Sequence, residues 1–135
     1  MKLGTRPWWM NALFAFCLFM SFVYLPFDLF WKPVAEDQEV WLGFLVQGWA
    51  AKATEPLHWA IYAAGAYGFW RMRAWMHPWA ALYTAQVAVG MGVWSYTDPR
   101  GDGRELYFGL PPFLGFGALA WQLWRSRAHF STRAG

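Results

Sequence analysis

A chain of 135 residues with a formal charge of +3 and a single cysteine, Cys17, is expected to form one domain with no internal disulfide and no thiolate metal cluster. Its basic residues bracket apolar stretches and form no run interleaved with aromatics, which argues against nucleic acid as a partner. The mean hydropathy of +0.17 understates the apolar character, because much of it resides in Trp, Tyr and Gly.

Lys2 and Arg6 precede an apolar stretch over residues 8–31. The run resembles a signal peptide in its flanks. However, at about twenty residues it exceeds a usual signal core, and it ends in Pro26, Asp28 and Trp31 without an A-x-A-like site, so a retained transmembrane helix is expected. Pro26 should bend its outer end. Residues 32–53 are too long for a simple turn. Within them, residues 40–51 are apolar but too few to span, and Val40, Trp41, Phe44 and Leu45 would share one helical face. This predicts a short outer interfacial helix, with Glu36, Asp37 and Glu39 favouring its N-terminal dipole.

Thr54-Glu55-Pro56 reads as a helix start, and a second span follows over residues 54–70. Ala60, Ala64 and Gly68 form a small-residue stripe on it, and Ala81, Ala85, Ala88 and Gly92 a similar one on the third span, residues 74–97. Such stripes let another helix approach closely, within the chain, from a second copy in a homo-oligomer, or from a larger membrane complex. Residues 71–74 form a tight turn and residues 98–103 a second one. A fourth span over residues 106–124 contains Pro111-Pro112, which should kink it. The expected fold is all-α: an integral membrane antiparallel four-helix bundle forming one domain over residues 1–135.

Orientation follows from charge. Assigning the segments alternately to two faces collects Lys2, Arg6, Arg71, Arg73, Arg125, Arg127 and Arg133 on one face with no acidic residue. The opposite face holds Lys32, Lys52, Arg100 and Arg104 beside seven carboxylates. The positive-inside bias therefore places both termini in the cytoplasm of a plasma (inner) membrane protein. Trp8, Trp9, Trp70, Trp75, Trp79, Trp121 and Trp124 fall near one boundary and Trp31, Trp41, Trp59 and Trp94 near the other, as indole rings do at a headgroup interface.

Ionisable groups inside spans are costly and point to function. Asp28, Glu55 and His58 are expected to converge near the outer side, with Glu55 and His58 on one helix face and Gln47 approaching from the intervening segment. Such a group can shuttle a proton, or hold a cationic ligand or a metal. The competing reading is structural: Asp28 pairs with Lys32 four residues on, and Glu55 complements a helix N-terminus. Glu55-x-x-His58 is only half of a carboxylate-bridged dimetal pattern. His58 and His77 lie roughly 25 Å apart along their spans, at about 1.5 Å per residue, so they cannot clamp one haem; ligation of a pigment by a single histidine stays open. No cofactor is specified. No nucleotide loop, hydrolase set or span-long polar stripe is present.

This layout resembles the emopamil-binding/sigma-2 receptor (EXPERA) superfamily. Leu25-Pro26-Phe27-Asp28 is similar to that family's acidic position near the outer end of span one, and Glu55 to its second acidic position. The resemblance implies four spans with cytoplasmic termini and a pocket whose acidic residues bind amines or assist isomerisation of a sterol double bond. The expected function is a small membrane protein with an intramembrane pocket for a lipid-like or other apolar ligand, opening near Asp28, Glu55, His58 and Gln47, as a binding protein or an isomerase. In the latter case a carboxyl would act as acid and His58 as base. The alternative is a non-catalytic accessory subunit of a larger membrane complex, in one version pigment-associated.

Overall fold

The computed structural model describes residues 6–97 and 105–130. The expected turn at 98–103 and both chain ends lie outside the described residues. Four long helices dominate: α1 (Trp8–Phe30), α2 (Gly48–Arg71), α3 (Met76–Thr97) and α4 (Glu105–Arg125). Short 3-10 turns occupy Val34–Glu36 and Arg127–Phe130. Among the described residues, α1 alone is long and apolar enough to cross a membrane by length and composition, with a mean hydropathy of 2.0. The other helices are weighted toward Trp, Tyr, Gly and Pro, and α2 also carries Lys52, Glu55 and His58.

α1 widens to a π turn over Met20–Tyr24, just before Pro26. There the Leu25 amide bonds to the Met20 carbonyl, five residues back. In the same register the Ser21 carbonyl would face residue 26, a proline with no N–H to give. The Trp59 indole supplies the missing donor, at 2.8 Å to that carbonyl. The expected distortion at Pro26 is thus a π turn, and its repair ties α1 to α2.

The expected interfacial helix at 40–51 is not formed. In its place stands an antiparallel β-hairpin, β1 (Gln38–Trp41) and β2 (Phe44–Gln47), in the register Gln38↔Gln47, Glu39↔Val46, Val40↔Leu45 and Trp41↔Phe44. Leu42 and Gly43 form its two-residue turn, both with positive φ (51° and 90°), the pairing that matches strand twist in tight hairpins. Val, Trp, Phe and Leu around a Gly-containing turn favour strands over a helix of barely three turns. A Cβ on Gly43 would overlap Val93, so the hairpin tip lies hard against α3.

α2 also begins earlier than expected, at Gly48, whose amide bonds to the Asp37 carbonyl at 2.9 Å. Thr54 is therefore inside the helix, its hydroxyl donating back to the Ala51 carbonyl at 2.7 Å, and Pro56 is an interior proline. At the far end Met72 turns left-handed (φ 47°), and its amide and that of Arg73 both bond to the Gly68 carbonyl. This closes the tight turn expected at 71–74.

The helices associate in two pairs, α1 with α2 and α3 with α4, with sparse contact between the pairs. Small residues let α3 and α4 approach: a Cβ on Gly92 would meet the Phe113 ring at 3.0 Å, and one on Gly109 would overlap Ser95. The α3 stripe thus serves as expected, through the buried Ala81 and Ala88 together with Gly92. The α2 stripe does not. Ala60 and Ala64 are exposed, and only Gly68 is covered, by Met76 and Trp75. The pairs are joined at their ends. The hairpin bridges one end; at the other, Met10, Phe69, Met76, Leu123 and Phe130 share a core, and the Arg6 guanidinium donates to the Phe69 carbonyl and to Asn11.

Candidate functional site

At the hairpin end, Asp28 closes α1, Asp37 and Glu39 arrive on the segment leading into and along β1, and Lys52 and Glu55 occupy adjacent turns of α2. Asp37 and Glu55 are fully buried, and Asp28 is nearly so. Lys32 bonds to Asp28 and Asp37, at 2.9 Å each. Lys52 reaches Asp37 at 3.3 Å, Glu55 at 3.4 Å, the Lys32 carbonyl at 3.0 Å and the Asp28 carbonyl. Two ammonium groups thus stand among three carboxyls, and Lys52 also satisfies carbonyls at the end of α1 that have no further turn to pair with.

His58 sits three residues beyond Glu55 on the same face. Its Nδ1 lies 2.9 Å from Glu39, and its ring stacks on Trp41 with centroids 4.0 Å apart and 14° between planes. Burial pushes the Asp37 carboxyl upward, but a hydrogen bond from Glu55 and the two lysines outweigh it and hold Asp37 below the ordinary carboxylate range. For Lys32 burial works to lower the value; its bonds to Asp28 and Asp37, and their charges, outweigh this and raise it well above the ordinary range. The ligand oxygens of Asp28, Asp37, Glu39 and Glu55 lie within 4.8 Å of one another, a spacing that could hold a metal ion. Lys32 and Lys52 already supply positive charge at that position, so the arrangement functions as an internally neutralising clamp.

Of the residues singled out from the sequence, Asp28 and Glu55 enter this network, and His58 joins it through Glu39. Gln47 does not: it is exposed at the end of β2, opposite Gln38. The pairing of Asp28 with Lys32 is present as expected. Asp37, Glu39, Lys52 and Trp41 join them in a way the sequence does not reveal, because their convergence depends on the hairpin. The signal that could have found them is Leu42-Gly43 between two β-prone runs.

Further along, between the two helix pairs, lies a cavity of about 510 Å³. Leu13, Phe16 and Cys17 line it from α1, Ile61, Tyr62, Ala64 and Gly65 from α2, Tyr83, Thr84 and Val87 from α3, and Phe116 and Leu119 from α4. It has no charged lining residue, and none of Asp28, Glu55, His58 and Gln47 borders it. An aromatic ladder crosses its upper part. Phe16 meets Tyr62 edge-on at 5.8 Å, and Tyr62 meets Tyr83 at 6.0 Å. Along α2 the inward face therefore changes from carboxyl (Glu55) through imidazole (His58) and phenol (Tyr62) to apolar (Phe69), at steps of three, four and seven residues.

No family model, curated protein or solved structure matches this chain.

Proposed function

We propose that this is a small multi-pass membrane protein, with four spans and cytoplasmic termini, that binds a lipid-like or other apolar ligand in the cleft between its helix pairs. The observation that carries this reading is the cavity itself. Its size is that of a small-molecule site, its lining is apolar apart from a few hydroxyls and a thiol, and all four helices contribute to it. Helices joined at both ends and separated between them form a slot that an apolar molecule can fill. Membrane placement is supported by the apolar span of α1, by the division of basic residues between the two ends, and by exposed aromatics such as Phe19, Phe22, Trp79 and Trp121 along the helix exteriors.

In this reading the carboxylate–lysine network holds the slot closed at one end, and ligand contact falls to the cavity walls. Purification in mild detergent followed by mass spectrometry should recover a bound apolar molecule. The pair Ala64→Phe and Val87→Phe, which fills the slot, should release it while the protein stays helical. Equal lipid recovery from both proteins would overturn the assignment of the cavity as the binding site. Reporter fusions at residue 135 and within residues 98–105 should report opposite faces, with residue 135 cytoplasmic.

The accessory-subunit reading is favoured by one feature, the outer face of α4. Tyr107, Phe108, Leu114 and Trp121 are all exposed there. Stoichiometric recovery of a partner protein, with an empty cavity, would select it.

A further inference from the structure

The cavity wall is not wholly without polarity, and the accounting of its hydrogen-bond donors constrains the occupant. The Thr84 hydroxyl donates to the Ala80 carbonyl at 2.8 Å and is thereby used within its own helix. The Cys17 thiol is a weak donor. The indoles of Trp75 and Trp79 belong to side chains exposed at the rim. There remain the phenols of Tyr62 and Tyr83, whose rings meet edge-on at 6.0 Å across the cleft between α2 and α3. Two phenols bring two O–H protons, and a bond between them could use only one. Among the described residues no acceptor outside this pair takes a proton from either phenol.

The geometry points to a ligand that carries one hydrogen-bond-accepting oxygen, a carbonyl, on an otherwise apolar body, with the Tyr62–Tyr83 pair donating an O–H to it. This rests on the cavity being the binding site and adds the chemical class of its occupant. The absence of Asp, Glu, Lys, Arg and His from the lining disfavours charged ligands, since a buried ion without a counter-charge is costly. Edge-to-face packing of Phe16, Tyr62 and Tyr83 holds the two hydroxyls in place before binding, so little ordering is needed when the carbonyl arrives. The remaining walls are aliphatic and aromatic, and accept a chain or ring system without further polar demand.

A matched pair of probes tests this. Dodecanophenone and 1-phenyldodecane differ by one carbonyl in place of one methylene. The detergent-purified protein is equilibrated with an equal mixture, separated from free micelles, and its bound fraction quantified by mass spectrometry against empty micelles. Wild type should retain the ketone over the hydrocarbon by about three- to tenfold, the range one neutral hydrogen bond supplies. The double variant Tyr62→Phe/Tyr83→Phe should hold the two probes equally. Equal retention by wild type, or a ketone preference that survives in the double variant, would refute the carbonyl assignment while leaving the cavity as a binding site. Retention of neither probe above empty micelles would refute both. The wild-type ratio decides the matter even if the double variant does not fold.

Discussion

The two ends of the α2 inward face solve opposite problems. Near the hairpin, Glu55 is fully buried beside Asp37 and Asp28, and two lysines supply their counter-charges within 3.4 Å. Two turns on, Tyr62 borders about 510 Å³ of unfilled apolar space. Charged groups cannot leave a gap, because an uncompensated buried carboxylate is far more costly than an empty apolar volume. The comparison teaches that polarity closes this molecule and apolarity leaves it open. The clamp fixes the hairpin to the α1–α2 pair, and the hairpin tip meets α3 at Val93; the slot is what remains where nothing obliges the pairs to meet.

Removing a counter-charge should have the largest effect. Lys52 has only 11% side-chain exposure and serves two carboxyls and two carbonyls. Lys52→Met should lower stability by about 3–5 kcal/mol, as breaking buried ion pairs does, read from denaturant unfolding in detergent. A change below about 1 kcal/mol, the worth of an exposed pair, would show that the hairpin end is not clamped. Next comes the hairpin tip. Gly43 has φ +90° and no room for a Cβ beside Val93. Gly43→Ala should cost about 2–4 kcal/mol from backbone strain and overpacking combined, and should loosen the contact between hairpin and α3 in hydrogen exchange.

Trp59→Phe keeps an aromatic ring, though a smaller one, and deletes the donor to the Ser21 carbonyl. A loss of about 1–2 kcal/mol is expected, the cost of leaving one carbonyl unsatisfied, with protection from exchange falling first around residues 20–26. An unchanged exchange pattern there would mean the π turn does not depend on α2.

A smaller effect lies in pH. The folded Asp37 value is below its ordinary 3.8, so between the two values the unfolded chain binds the additional proton and stability rises with pH. The contribution is present in full above 3.8 and disappears as pH falls through the folded value. Lys32 has the opposite sign. Its folded value is raised above 10.5, so its contribution is complete below 10.5 and is lost as pH rises through the folded value. Unfolding midpoints should decline at both extremes, and Asp37→Asn should make the acid decline shallower. An identical acid limb in that variant would remove Asp37 from the clamp.

Composition and periodicity alone determine the four helices, because a stretch of apolar residues long enough for a helix is a local property. The Arg71–Ala74 turn and the small-residue face of α3 at Gly92 are equally legible, since chain punctuation and small side chains act over a few residues; that α4 is the helix seated on that face is not. The partnership of Asp28 with Lys32 was legible for the same reason, one helical turn separating them. The hairpin is not legible in this way. Residues 40–51 satisfy a short amphipathic helix and a tight hairpin almost equally, and only the partners of Asp37 and the seat for Gly43 against α3 decide between them. Tertiary structure alone could decide that Lys52 and Asp37 join the acidic residues. It alone could decide that Ala64 faces a cavity instead of a helix, and that Tyr62 meets Tyr83 across it. Those contacts link residues far apart in the chain, and their energies come from burial and desolvation, which have no value until the helix pairs are placed.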